Sequence, residues 1–313
     1  MSGLLTPVSR VVLALVCGGL WAFGSSGATS ITLFPSADAT LIERNPSNSM
    51  GAATWITAGI TQNGNSNRAL LQFDVAAAVP AGSTITGVGL LVWVTGQPRD
   101  GYAESVFSLR RMLRAWNEGA NPPPIISPGF GSPALPGDAT WTCAFWETNA
   151  WTVPGGLEGV DYSADISTAV PIGGLSPNPY FFEAGGATTD VQFWLDHPEL
   201  NFGWMLRAED EITPFTARRF GSRELEDPAA SPQLLIDYLP PVVLTDIHAA
   251  SNYFSLTFQA DFGQSYLVES RRTVAGTNAW MVLTNLGLVL APGPRTVTDS
   301  LTNSPRFYRV RRN

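Results

Sequence analysis

The densest group of ionisable residues in this sequence is RRFGSRELED, residues 218–227. It places three arginines and three acids in ten positions of a chain that is only 14% charged. Such a cluster suits three kinds of chemistry: acid–base catalysis, grip on an anionic ligand, or ion pairs that fasten strands. The first needs a nucleophile, a base or a metal, and the sequence offers little. His197 sits in DHPEL before a proline, a turn or capping position, and His248 lies at a strand end in TDIHAAS. Neither has a His or Cys at metal-ligand spacing, so zinc is not expected. There is no Gly-x-Ser-x-Gly and no phosphate-cradling glycine loop. Glu118, Glu147, Asp161 and Glu224 are candidates for the paired carboxylates of a glycosidase, but acids scattered over loops are mostly solvated. Calcium needs only oxygen ligands and could draw on Asp38, Asp237 and loop carbonyls. No dense D-x-D-x-D run supports it, and no cofactor is expected.

Tryptophan is in excess. Eight of the ten lie between Trp55 and Trp204. Trp93 in LLVWV and Trp204 in NFGWML fall within strand patterns and are expected in the core. Trp116, Trp141, Trp146 and Trp151 accompany a loop, where a ring either anchors the chain or stacks on a sugar face. Anchoring is the leading reading.

Strands must position these residues. ITLFPSADATLI, RALLQFDV, TITGVGLLVWV, SVFSLRRML, NFGWMLRA, RRFGSRE and PQLLIDY are short apolar or β-branched runs bounded by Gly, Pro, Asn or Asp. In RALLQFDV, Ala69, Leu71 and Phe73 share one face while Arg68, Gln72 and Asp74 share the other. One helix is expected in TDVQFWLDHPE, capped by Thr188 or Thr189, with Val191, Trp194 and Leu195 at helical spacing. Residues 119–138 form a loop with six prolines, and loops of that length are functional or mobile. Many short strands with few helices predict an all-β fold, a jelly-roll-like β-sandwich. Pro240 and Pro241 mark a boundary. Residues 241–313 then read as a small immunoglobulin-like β-sandwich, closed by RFYRVR with Tyr308 and Val310 on one face and Arg309 and Arg311 on the other.

Residues 1–28 have the three parts of a secretory signal peptide: a charged start, the 13-residue apolar run VVLALVCGGLWAF, and small residues before a cut after Ala28. Export is therefore expected, with residues 29–240 and 241–313 as the two mature domains and no permanent membrane span. Every basic residue is arginine, and the net charge is −8. Residues 29–240 carry 22 acids and 10 arginines, a balance that argues against nucleic acid as a partner. Cys143, alone after export, is expected as a small core residue.

The ordered pieces ADATLIERNPSNSMGAA, RALLQFDV, AGSTITGVGLLVWV, LRRMLRAWNEG, ATWTCAF with AWTVPGG, DVQFWLDHPELNFGWMLRAEDE and RRFGSRELEDPAASPQLLIDY resemble the DNRLRE domain. That family is also described as the disaggregatase-related repeat and as carbohydrate-binding module family 96, and the likeness covers roughly residues 30–240. It implies a secreted jelly-roll-like module that binds polysaccharide without catalysis, anionic polymers among its ligands. Two departures stand out: the Pro-rich loop is long, and arginine must serve where the family uses lysine.

The expected function is therefore a secreted, non-catalytic polysaccharide-binding protein for an acidic polysaccharide, possible cell-envelope association included. The alternatives are a structural or adhesive envelope or matrix protein, and a polysaccharide lyase or glycosidase. Arg68, Arg207, Arg219, Arg223 and Trp146 are the candidate ligand-binding residues. If RALLQFDV and RRFGSRE share a sheet, their outward arginines and acids form a cross-strand ladder, the primary reading. In the sharper reading the arginines are a platform that holds sugar carboxylates by bidentate hydrogen bonds.

Overall fold

The computed structural model of the protein describes residues 28–273, 279–300 and 306–312. The expected export segment lies outside these apart from Ala28.

Residues 29–240 fold around two main antiparallel sheets, with two short two-stranded ribbons beside them. The smaller has the spatial order Thr29–Leu33, Gln233–Leu239, Thr84–Val92, Tyr180–Glu183. The larger runs Thr168–Ile172, Ser105–Arg111, Trp204–Ala208, Ser66–Gln72, Trp55–Ile60, Arg218–Gly221, Val94–Gly96, with Ala37–Ile42 added against Ser66–Gln72. Strand alternation decides which side chains meet between them. Ala69, Leu71 and Phe73 face the core as expected, joined by Phe107, Trp204 and Phe220 of the large sheet. Leu90, Phe182, Leu234 and Ile236 face them from the small sheet. At roughly 25 cal/mol per Å² of apolar surface, this layer is the main stabilising term of the fold.

Chain continuity links the two sheets. Thr84–Val92 belongs to the small sheet and Val94–Gly96 to the large one. Trp93 lies at the crossing and is half-buried, not a core residue as its strand pattern suggested. Alternation places its side chain on the face opposite Val92 and Val94, which are buried.

The helix Gly185–Asp196 packs across the core with Val191, Trp194 and Leu195 buried. Trp194 meets Trp204 edge-on at 4.5 Å, and the Trp204 indole N–H donates to Asp190 Oδ2 at 2.8 Å. The helix begins earlier than expected. Ala184 occupies the cap position without a side-chain bond, and the Thr189 hydroxyl donates back to the Gly185 carbonyl. Gly186 explains the early start: a Cβ there would lie 2.5 Å from the Ser167 carbonyl oxygen, so glycine admits the first turn against that backbone. His197 ends the helix, its N–H bonded to the Phe193 carbonyl.

Part of the opposite face of the large sheet is covered rather than solvated. Ala39, Leu41, Leu70, Met112 and Met205 form a second apolar layer, covered by Trp116, Trp141, Trp151 and Tyr162 from residues 113–162. The Trp116 indole donates to Phe202 O and that of Trp151 to Thr140 O. These rings anchor the covering segment. Cys143 is half-buried in the short strand Cys143–Phe145, less enclosed than a core thiol.

Beyond the Pro240–Pro241 break come two three-stranded sheets. Their orders are Leu244–Ala249, Tyr253–Ala260, Gly293–Ser300, and Met281–Leu288, Ser265–Arg271, Phe307–Arg312. Leu256, Phe258, Tyr266, Val268 and Val297 form their own core. The closing strand lies at a sheet edge with Tyr308 and Val310 against that core, while Arg309 and Arg311 both reach Glu269 Oε2. No described strand pairs across residue 240. No helix among the described residues is long and apolar enough to cross a membrane.

Candidate functional site

Of the expected site residues, Arg68 and Arg207 lie on the covered half of the large sheet's outer face, in neighbouring strands. Glu211 holds both. It takes two bonds from Arg68, at 2.8 and 2.6 Å, and one from Arg207 at 2.9 Å. Arg68 also donates to Gly155 O at 2.7 Å and lies over the rings of Trp141 and Tyr162. Arg207 donates to the Tyr162 hydroxyl at 2.7 Å. One strand further on, Arg110 bonds Glu209 at 2.8 Å, and Glu158 approaches both Arg110 and Arg207. Burial alone would lower the pKa of Arg68, but the Glu211 bonds outweigh it and leave the guanidinium more firmly protonated than usual. These side chains are turned onto protein partners beneath the covering segment rather than into an open cleft. Their arrangement is a ladder, though not the one expected: it spans Ser66–Gln72, Trp204–Ala208 and Ser105–Arg111, and its acids come from loops. Ser66–Gln72 and Arg218–Gly221 share the sheet but are separated by Trp55–Ile60.

Arg223 lies past the end of Arg218–Gly221 and grips Glu118 with two bonds, at 2.9 and 2.7 Å. Glu224 is 2.9 Å from its Nε. Trp146 is half-buried, and its backbone bonds Asp138 and Gly137. It neither joins the other loop tryptophans nor approaches Arg219's groove. Arg218, on the core-facing side, is fully buried without a carboxylate partner among the described residues. Its guanidinium donates to the carbonyls of Gly173, Phe215, Thr216, Ala217 and Ala103.

Arg219 is different. It points away from the core face that Phe220 and Ile56 occupy, sits opposite Thr57 on one side and Gly96 on the other, and is exposed. Its guanidinium lies 4.5 Å over the ring of Trp55, the diagonal neighbour on the next strand. Gly96 leaves room for its stem: a Cβ there would lie 3.2 Å from Arg219 Cδ. Desolvation pulls its pKa below the ordinary arginine value, and no carboxylate among the described residues pairs with it.

Arg219 belongs to an open groove with about 380 Å³ of room, on the part of the face that the tryptophan-anchored residues 139–162 leave bare. Thr57, Thr61, Gln62, Asn67 and Gln97 supply hydroxyls and amides, and Arg99 stands on the rim. Gly129 and Phe130 of the Pro-rich loop form part of one wall, with Phe130 backed by Arg44 at 4.8 Å. None of the groove's residues is acidic, in a chain with 26 acids and a net charge of −8. Such a set can hydrogen-bond hydroxyls through its amides, stack a flat ligand near the Trp55–Arg219 pair, and hold a carboxylate or sulfate on Arg219. Sequence reasoning found Arg219 and missed Trp55, Arg99, Gln62 and Gln97.

The fold and the groove define a class: an all-β sandwich protein carrying an acid-free, arginine-bearing cleft on one sheet. Neither a scan against protein-family models nor a search of curated proteins finds a match to this chain.

Proposed function

We propose that this chain is a secreted, non-catalytic protein that binds an acidic polysaccharide in the Arg219 groove. One observation carries the reading: an arginine stacked on tryptophan, unpaired with any described carboxylate, in an open cleft lined by amides and hydroxyls. The likeness of residues 30–240 to the DNRLRE domain and the signal-like first 28 residues support it. The open cleft suits an extended polymer, and the absence of acids from the lining avoids repulsion of uronate or sulfate groups. Only Arg219 of the five residues expected to touch ligand serves this role.

Calorimetric titration of the protein with alginate, pectate and chondroitin sulfate, beside a neutral glucan, tests it. Binding to an acidic polymer should weaken with salt, because exposed charges are screened within about 10 Å at 0.1 M. Arg219→Gln should weaken it about 10–100-fold, the worth of one charge-assisted pair, with melting unchanged. No binding to any polymer, with self-association in its place, would favour an adhesive role. New reducing or unsaturated ends would show an enzyme.

A further inference from the structure

The structure gathers three carboxylates that neither the groove nor the arginine ladder uses. Asp38 comes from the strand Ala37–Ile42, Glu118 from the covering segment, and Glu224 from the turn after Arg218–Gly221. One oxygen of each lies within 4.8 Å of the other two. We infer that they form a calcium site, independent of the polysaccharide reading.

Hydrogen bonding shows what is left unfilled. Glu118 Oε1 accepts the Asp38 N–H at 2.7 Å and Arg223 Nε at 2.9 Å, and Glu118 Oε2 accepts Arg223 Nη2 at 2.7 Å. Glu224 Oε1 lies 2.9 Å from Arg223 Nε. Asp38 Oδ2 accepts the Arg223 N–H at 2.8 Å. Asp38 is 0% exposed, yet its Oδ1 receives no hydrogen bond, and neither does the buried Oε2 of Glu224. A buried carboxylate oxygen without a donor costs about 1–3 kcal/mol or more, so such atoms are rare unless something binds them.

Charge leads to the same conclusion. Three carboxylates against the single guanidinium of Arg223 leave two negative charges, the complement of a divalent cation. All donors are oxygens and no His or Cys joins them, which fits a hard cation. Calcium bonds at ~2.3–2.6 Å, so two of its ligands stand up to ~5 Å apart, and it accepts irregular shells completed by carbonyls and water. Magnesium needs a near-octahedral shell at ~2.0–2.1 Å that this set, crossed by Arg223, does not supply. The ion would tie the covering segment to two strands of the large sheet. Asp237, the partner considered for Asp38 from sequence, is on the small sheet, bonded to the Ser30 hydroxyl.

The test uses the full chain, freed of metal with a chelator and then titrated with calcium chloride alone, by calorimetry and thermal melting. At one hundred times its dissociation constant, calcium should raise the melting temperature by about 5–10 °C, and magnesium at equal concentration by much less. Asp38→Asn retains an acceptor for the Arg223 N–H and should abolish the calcium-dependent rise. If that variant does not fold, Glu224→Gln decides, with affinity expected to fall at least about tenfold. The inference is overturned if wild type shows no heat and no shift with calcium, if Glu224→Gln retains the full shift, or if magnesium matches calcium.

Discussion

Replacing Glu211 with alanine isolates what the arginine ladder contributes. The carboxylate holds Arg68 and Arg207, whose side chains are only 12% and 11% exposed. Its removal strands two guanidiniums beneath the tryptophan-anchored segment. Breaking a buried pair costs about 3–5 kcal/mol, mostly through the charge left behind. Arg68 keeps Gly155 O, and Arg207 keeps the Tyr162 hydroxyl, so the low end, about 3 kcal/mol, applies. In a domain of this size each kcal/mol moves the midpoint by about 2–4 °C. Thermal unfolding followed by circular dichroism should therefore show a drop of about 6–12 °C, little changed by 1 M salt. A Glu211→Ala midpoint within about 2 °C of wild type would refute the view that these charges fasten the sheet's cover. An equal drop in Arg219→Gln would instead make the groove arginine structural.

Three further outcomes follow from the geometry. Gly203→Ala should destabilise strongly: Gly203 has φ +73°, and a Cβ would lie 2.0 Å from the Leu71 carbonyl oxygen. The left-handed conformation alone costs about 1–3 kcal/mol, which chemical denaturation would read directly. Burial would raise the Asp161 carboxyl, but bonds from Arg114, Leu157 and Thr152 hold it below the usual range. Its folded pKa is thus below the unfolded value of about 3.9. Its stabilisation is complete above that value and is lost as pH falls through the folded pKa. Asp161→Asn should be less stable at pH 7, with a shallower decline between about pH 4 and pH 2 in acid titrations of the midpoint. Trp55→Ala should weaken polysaccharide binding alongside Arg219→Gln, since the ring supports that guanidinium at 4.5 Å; calorimetry would compare the two.

Period-two alternation revealed the inner core because Ala69, Leu71 and Phe73 obey it without exception. The same logic put Val191, Trp194 and Leu195 on the buried face of the helix and Tyr308 and Val310 on that of the closing strand. It misread the outer face. Leu70 and Met205 stand at outward positions beside Arg68 and Arg207, and apolar residues at both parities were the available signal of a sheet covered on both sides. What covers them comes from residues 113–162, a separation that no local pattern encodes. The same reason hid the partners of the arginines: Glu211, Glu209, Glu158 and Glu118 all sit in loops. Arg219 could be read as outward, but only the structure shows that no carboxylate among the described residues meets it. For Arg218, nothing in the sequence signals a fully buried guanidinium held by five carbonyls.

The cover over the sheet also sets where the chain tolerates change. Residues 139–162 have little regular structure, yet Ala139, Trp141, Ala144, Trp151 and Tyr162 are buried against the sheet, so trimming them would expose the apolar side of three strands. A few residues earlier the situation reverses. Ile125 and Ile126 are 98% and 85% exposed, and residues 123–127 make no backbone ladder with any strand. The backbone there can be opened, extended or fused to another domain while both ends remain pinned, one at Gly119 against Gly51 and the other through Asn48–Ser49 paired with Ser132–Pro133.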